Sequence, residues 1–164
     1  MSLRLEDIER ICRVKYRYWR ALDMCQIEEL REVLTEDVRV DFVGGTYRWQ
    51  MEGREVFLKA VAGAFTSQVI ARHNGHHPEI DVLSETTAKG TWYLSDWMLH
   101  LGENIVTEGT ALYRDEYVKI DGAWRIKVST YERIFERVER LPQRPNITAH
   151  YLGRAQAGSG VKGA

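Results

Sequence analysis

The chain has little cysteine, no excess of charge and no long apolar run. Of its 164 residues only Cys12 and Cys25 are cysteines, and they form no CxxC, zinc or disulfide-framework spacing. With no activating neighbour in the sequence, both read as buried structural thiols, and their scarcity points to a reducing, cytoplasmic compartment. Twenty-three Lys and Arg against twenty-four Asp and Glu leave a formal charge of -1. That balance supplies no field to draw nucleic acid or an anionic membrane. The start MSLRLEDIER is charged and amphipathic, unlike a signal peptide, and no stretch has membrane-spanning length. A GxSxG elbow, a glycine-rich phosphate loop, an internal repeat and a linker are also missing. Covalent acyl transfer and nucleotide chemistry therefore have no visible machinery.

What remains is an ordinary soluble globule, 44% apolar and 29% charged, of one-domain length. Leu5, Ile8, Ile11, Cys12, Val14, Tyr18, Trp19 and Leu22 recur at three- and four-residue steps, which predicts an amphipathic helix. A break near Asp23, with Asp23 as cap, starts a second periodic run at Ile27. That break would let Tyr18 and Asp23 face one pocket. Val38 to Phe42 and Tyr47 to Met51 alternate around Gly44-Gly45 as a hairpin, and Val56 to Phe65 returns to helical spacing. Beyond Pro78 the pattern is strand: Ile80 and Val82, Ala88 to Leu101, Ile105 to Val118, and Trp124 to Tyr131. Asp121-Gly122 predicts a type I′ turn between the last two.

The expected fold is α+β, with N-terminal helices packed into a strongly curved antiparallel sheet, a cone-shaped half-barrel around an internal pocket. Residues 1–152 form the single domain and the Gly- and Ala-rich stretch 153–164 a flexible tail. The basic segment Arg133 to Arg144, interrupted by Glu136 and Glu139, reads as a solvated helix face or tail. Long edge strands and a convex face carrying Tyr93, Trp97 and Leu99 predict a homo-oligomer, a dimer or trimer.

The residues left to carry chemistry are Tyr, His and Asp, which is proton-transfer equipment. Strand parity puts Asp96 on one face with Trp92, Leu94 and Met98. There it is either a buried acid kept neutral by apolar neighbours or a solvated residue near the strand end. His73, His76, His77 and His100 invite a metal, but Gly75 and Pro78 break the helix that such spacing normally uses. A single histidine acting as general base fits the pattern better. Trp19, Phe42, Trp92, Tyr113 and Trp124 are either core or the lining of a pocket for a flat apolar substrate.

YWRALD (18–23), RHNGHHPEI (72–80), SETTAKGTWYLSD (84–96), YVKIDGAWRI (117–126) and YERIFE (131–136) together resemble the SnoaL-like family of the nuclear transport factor 2-like superfamily. Within it the resemblance is nearest to the bile acid 7-alpha-dehydratases, from the first helix to about Arg137. It implies a cone with a deep pocket and chemistry without a cofactor. It also places Tyr18, Asp23, His73 and Asp96 on catalytic positions and Arg133 on a site arginine beyond the last strand. Val43 to Met51 and the stretch after Leu141 depart from the dehydratase pattern, so pocket shape and substrate do not carry over. The expected function is removal of water from a hydroxylated steroid-like or polycyclic substrate. His73 would be the base, oriented by Asp23, and Tyr18 the hydrogen-bond donor, with Asp96 a second acid. Trp19, Phe42, Trp92, Tyr113 and Arg133 would line the substrate site. A ketosteroid-type isomerase, a polyketide cyclase and a non-catalytic pocket for a hydrophobic ligand are the alternatives. No metal, nucleic acid or membrane partner is expected.

Overall fold

The computed structural model describes residues 4–157. Helices α1 (Leu5–Asp23) and α2 (Ile27–Val33) come first, then strands β1 (Leu34–Val43) and β2 (Arg48–Glu52) and helix α3 (Arg54–Ala64). Four long strands follow: β3 (Val69–Val82), β4 (Thr87–His100), β5 (Ile105–Ile120) and β6 (Ala123–Arg140). The short helix α4 (Tyr151–Ala157) comes last. All six strands join one curved, unclosed sheet in the order β2-β1-β6-β5-β4-β3. Only β1 and β6 run parallel among these pairings. The N-terminal helices pack on this sheet, α1 against β3 and β6 and α3 against β1, giving the α+β cone that the sequence predicts. No described helix is long and apolar enough to cross a membrane.

Helix α1 buries one stripe, Ile11, Cys12, Val14, Tyr18, Trp19, Ala21 and Leu22, and places Glu6 and Asp7 in its first turn and Arg20 in its last, where each charge suits the helix dipole. Asp7 also anchors the helix. Its carboxylate accepts hydrogen bonds from Lys119 Nζ (2.6 Å) and Trp124 Nε1 (2.8 Å). These bonds, Lys119 foremost, hold its pKa below the ordinary value and tie the helix start to the β5–β6 hairpin. That hairpin turns at Asp121-Gly122 with φ of 51° and 79°, as a type I′ turn requires.

Several local expectations give way to tertiary pairing. Helix α1 ends at Asp23, so the break falls where the sequence predicts, but the capping does not. The N-cap of α2 is Gln26, without a side-chain bond, and the chain turns at Cys25 with φ 48°. Asp23 is therefore not a cap, because its carboxylate is engaged on β3. Strand β3 begins at Val69, so His73, His76 and His77 stand on an edge strand. A register shift between His76 and Glu79, with His77 at φ 49°, accommodates Pro78 there. Strand β6 continues to Arg140, paired with β5 as far as Ile105, so Arg133 lies on a strand and not on a helix face or tail. Helix α4 enters the stretch expected to be a flexible tail, whose residues 158–164 lie outside the described residues. On the convex side Tyr93 is exposed, whereas Leu99 is fully buried with Val69 and Val106. The returning C-terminal segment reaches this end of the sheet, anchored by His150 Nε2 donating to the Val69 carbonyl at 3.1 Å.

Gly75 explains how α1 lies so close to β3. A Cβ at this position would stand 1.9 Å from the Trp19 ring. The ring is itself fixed edge-on to Trp92 at 5.3 Å and to Tyr113 at 5.8 Å between centroids. Gly75→Ala should therefore cost about 3 kcal/mol, the upper end for overpacking a filled core, measured as a lower urea midpoint at unchanged m-value.

Candidate active site

The helices and the concave sheet face enclose a cavity of about 540 Å³. Tyr18 and Leu22 of α1, Phe42 of β1 and Phe57 of α3 contribute to its walls, with His73 of β3, Tyr113 of β5, and Tyr131 and Arg133 of β6. From β4 come Asp96, Met98 and His100, alternate residues whose side chains share one face of the strand. Register places His73 directly opposite Asp96.

Asp23 stands behind this wall. Its carboxylate accepts the backbone N–H of His73 at 3.0 Å and the ring Nδ1–H at 2.5 Å. A carboxylate acceptor selects the tautomer with the proton on Nδ1, which leaves the Nε2 lone pair for the cavity. The backbone bond locks the register between the end of α1 and β3, and the ring bond fixes the plane of the imidazole. Sequence spacing suggested that Tyr18 and Asp23 both face the pocket. Instead Tyr18 faces it, and Asp23 acts on it through His73.

Arg133 reaches from β6 to Asp96 on β4. Its Nη1 and Nη2 donate to the two carboxylate oxygens at 2.5 and 2.8 Å, and Nη2 also donates to the Tyr47 hydroxyl at 3.0 Å. Its Nε lies 3.2 Å from Glu136 Oε2. Burial disfavours the guanidinium charge, but the Asp96 hydrogen bonds outweigh it and hold the Arg133 pKa above its ordinary value. This corrects one expectation: as acceptor of two guanidinium hydrogen bonds, Asp96 is a carboxylate and not a neutral acid.

Tyr47 and Tyr131 share a very short hydroxyl–hydroxyl hydrogen bond. The pair owns two phenolic hydrogens and spends one on that bond. The other has no protein acceptor among the described hydrogen bonds and is free to meet an oxygen in the cavity. Burial pushes the Tyr131 phenol far above its ordinary pKa. Tyr18 is fully buried, its hydroxyl makes no hydrogen bond of normal geometry although the Tyr113 phenol stands beside it, and burial likewise raises its pKa. Both sites therefore offer neutral O–H donors.

The structure thus brings Tyr18, His73, Asp96, Phe42, Tyr113 and Arg133 to one cavity. Trp19 and Trp92 are corrections. Neither lines it; Trp19 is wedged against Gly75, and Trp92 is fully buried with Nε1 donating to the Tyr117 hydroxyl at 2.9 Å. Sequence reasoning missed Tyr47 and Tyr131. Tyr131 was within reach of strand parity, since Ser129, Tyr131 and Arg133 alternate on β6, whereas Tyr47 follows a hairpin turn and carries no periodic signal. Among the described residues, no group of three or more His, Cys, Asp or Glu is placed to hold a metal.

Comparison with known proteins bears on the family and the fold. The profile of the SnoaL-like domain family matches residues 3–130. A crystal structure from Novosphingobium aromaticivorans, provisionally named a scytalone dehydratase, superposes with a TM-score of 0.74 at 24% identity, covering 89% of this chain and 96% of that one. Hexachlorocyclohexane dehydrochlorinase LinA-type3 from Novosphingobium barchaimii gives a TM-score of 0.72 at 18% identity over 83% and 92%. Rv3472 from Mycobacterium tuberculosis, a protein of unknown function, gives 0.67 at 20% identity over 93% and 86%. At these identities the structures share a fold, which by itself does not decide a reaction.

Proposed function

Because the chain belongs to the SnoaL-like domain family, within which a dehydratase-type or related enzyme is in keeping with its structural neighbours, we propose that it is a cofactor-independent hydro-lyase that removes water from a hydroxylated steroid-like or polycyclic substrate. The observation that carries this reading is the Asp23–His73 pair, which turns Nε2 toward a cavity with aromatic walls and phenol donors.

His73 Nε2 takes a proton from a carbon next to a carbonyl, and the C–H electron pair moves into an enolate whose oxygen Tyr18 or the spare Tyr47/Tyr131 hydrogen stabilises. Asp23 supports the imidazolium that forms. The enolate then re-forms the carbonyl and a carbon–carbon double bond as the β C–O bond breaks. The hydroxyl departs as water with the proton returned from His73, which regenerates the resting site. The Arg133–Asp96 pair holds Tyr47 in place by hydrogen bonding. The assignment to the bile acid dehydratase branch rests on Tyr18, Asp23, His73, Asp96 and Arg133 together. Exposed Tyr93, Ile134, Phe135 and Val138 support a dimer or trimer, which light scattering of the eluted protein measures.

Native mass spectrometry for retained ligand, followed by incubation with a panel of hydroxylated ketosteroids, tests the reaction. A product lighter by one water supports it. A product of unchanged mass makes the protein an isomerase, and binding without conversion makes it a ligand-binding domain. Asp23→Asn preserves the shape of the site but removes the charge that supports the imidazolium, so kcat should fall on the order of 10²-fold or more. Thermal melting of the same variant is the control: a lowered midpoint with wild-type turnover would make Asp23 a tie between α1 and β3 only.

A further inference from the structure

A buried charge that the proposed reaction does not use lies against two walls of the cavity. Lys15 on α1 and Asp115 on β5 are both fully buried, with Nζ 2.7 Å from Oδ2. Asp115 is satisfied from other sides as well. Ser129 Oγ donates to Oδ1 at 2.7 Å and the Tyr117 hydroxyl donates to Oδ2 at 2.7 Å. Lys15 is not itself a wall, but its ammonium sits 3.8 Å from the ring centroid of Tyr113 and 4.7 Å from that of Tyr18, both of which are.

Stability alone gives little reason for such a pair. Replacing a buried ion pair by uncharged residues of similar volume is often neutral or stabilising, because both ions lose their hydration. Burial acts to lower the Lys15 pKa, and Asp115 opposes it. What the pair does supply is a cation on the faces of two phenol rings, where it is attracted by the ring quadrupole. Such a cation restrains the ring plane and draws electron density from the ring, which strengthens the phenolic O–H as a donor against the opposing field of Asp115, whose charge holds the Tyr18 proton more tightly. Tyr18 is the ring for which this matters, since its buried hydroxyl makes no hydrogen bond of normal geometry.

We propose that Lys15, held by Asp115, is a positioning residue that restrains the Tyr18 and Tyr113 rings and strengthens the Tyr18 hydroxyl as a donor to a substrate oxygen. The second half of this inference rests on reading Tyr18 as a substrate-facing donor; the first half does not.

Lys15→Met alone leaves Asp115 buried without its cation and is expected to unfold. Lys15→Met/Asp115→Asn removes both charges at nearly constant volume and is the informative variant. Its folding should be retained. With 13C-labelled tyrosine and Tyr18→Phe for assignment, the Tyr18 ring of this variant should flip measurably faster than in the wild type, without any substrate present. An unchanged flip rate overturns the positioning role. On a converted substrate, kcat should fall about tenfold with little change in KM, less than the 10²–10³-fold cost of deleting a whole donor. Tyr18→Phe should then cost less in the neutral background than in the wild type. A stable double variant with wild-type kcat and an undiminished Tyr18→Phe effect overturns the donor half. If the wild type converts no hydroxysteroid while the flip rate responds, the reaction fails and the positioning role stands.

Discussion

His73→Ala is expected to lose about 10²–10⁴ in turnover while unfolding at the wild-type denaturant midpoint. The loss follows from geometry. Nδ1 is committed to Asp23 at 2.5 Å, so Nε2 is the basic atom that His73 presents to the cavity. The retained fold follows from the position of His73 on edge strand β3, where its backbone N–H bond to Asp23 survives the change. A steady-state assay on any converted hydroxysteroid, beside a urea melt, gives both numbers. If turnover is unchanged, the base lies elsewhere. If the variant unfolds, the Asp23–His73 pair is a structural clasp.

Arg133→Met should be the most destabilising single change in the site, by about 3–5 kcal/mol, because it leaves the Asp96 carboxylate buried without its guanidinium. The side chains of Arg133 and Asp96 are each only 8% exposed, so water cannot replace the lost partner at low cost. Adding Asp96→Leu should restore part of the loss, since one of the two carboxylates left without the guanidinium is then gone and Glu136 alone remains. The same reasoning changes what Asp96→Asn does. Considered from the sequence, it is a mild change at a neutral acid. Facing Arg133, it takes one of two counter-charges from a buried cation, leaving Glu136, and should lower the urea midpoint. Equilibrium unfolding of the three variants decides this, and a single variant within about 0.5 kcal/mol of the wild type would mean that the pair is far better hydrated than its burial indicates.

The sequence by itself determined the elements whose cause is local. The three- and four-residue apolar steps of α1 and α3, the parity of β4 that brings Asp96, Met98 and His100 to one face, and the positive φ demanded by Asp121-Gly122 all arise from residues within one or two turns of one another. The resemblance to a family then singled out Tyr18, His73 and Arg133, and the structure brings these to one cavity. Only the tertiary structure decided the partners. Asp23 finds His73 fifty residues away and Arg133 finds Asp96 thirty-seven away. Neither separation leaves a trace in local periodicity, because it depends on strand order and register. Strand β3 and the end of β6 were hidden for a related reason: edge position, bulges and Pro78 remove the alternation that marks a strand. The aromatic residues divided in the same way. Trp19 on α1 and Phe42 on β1 are both aromatic residues on the apolar face of their element, yet Trp19 is committed to the core because Gly75 on β3 makes room for its ring. Whether a large apolar side chain becomes core or cavity wall is set by what packs against it, and the chain on either side of it does not carry that information.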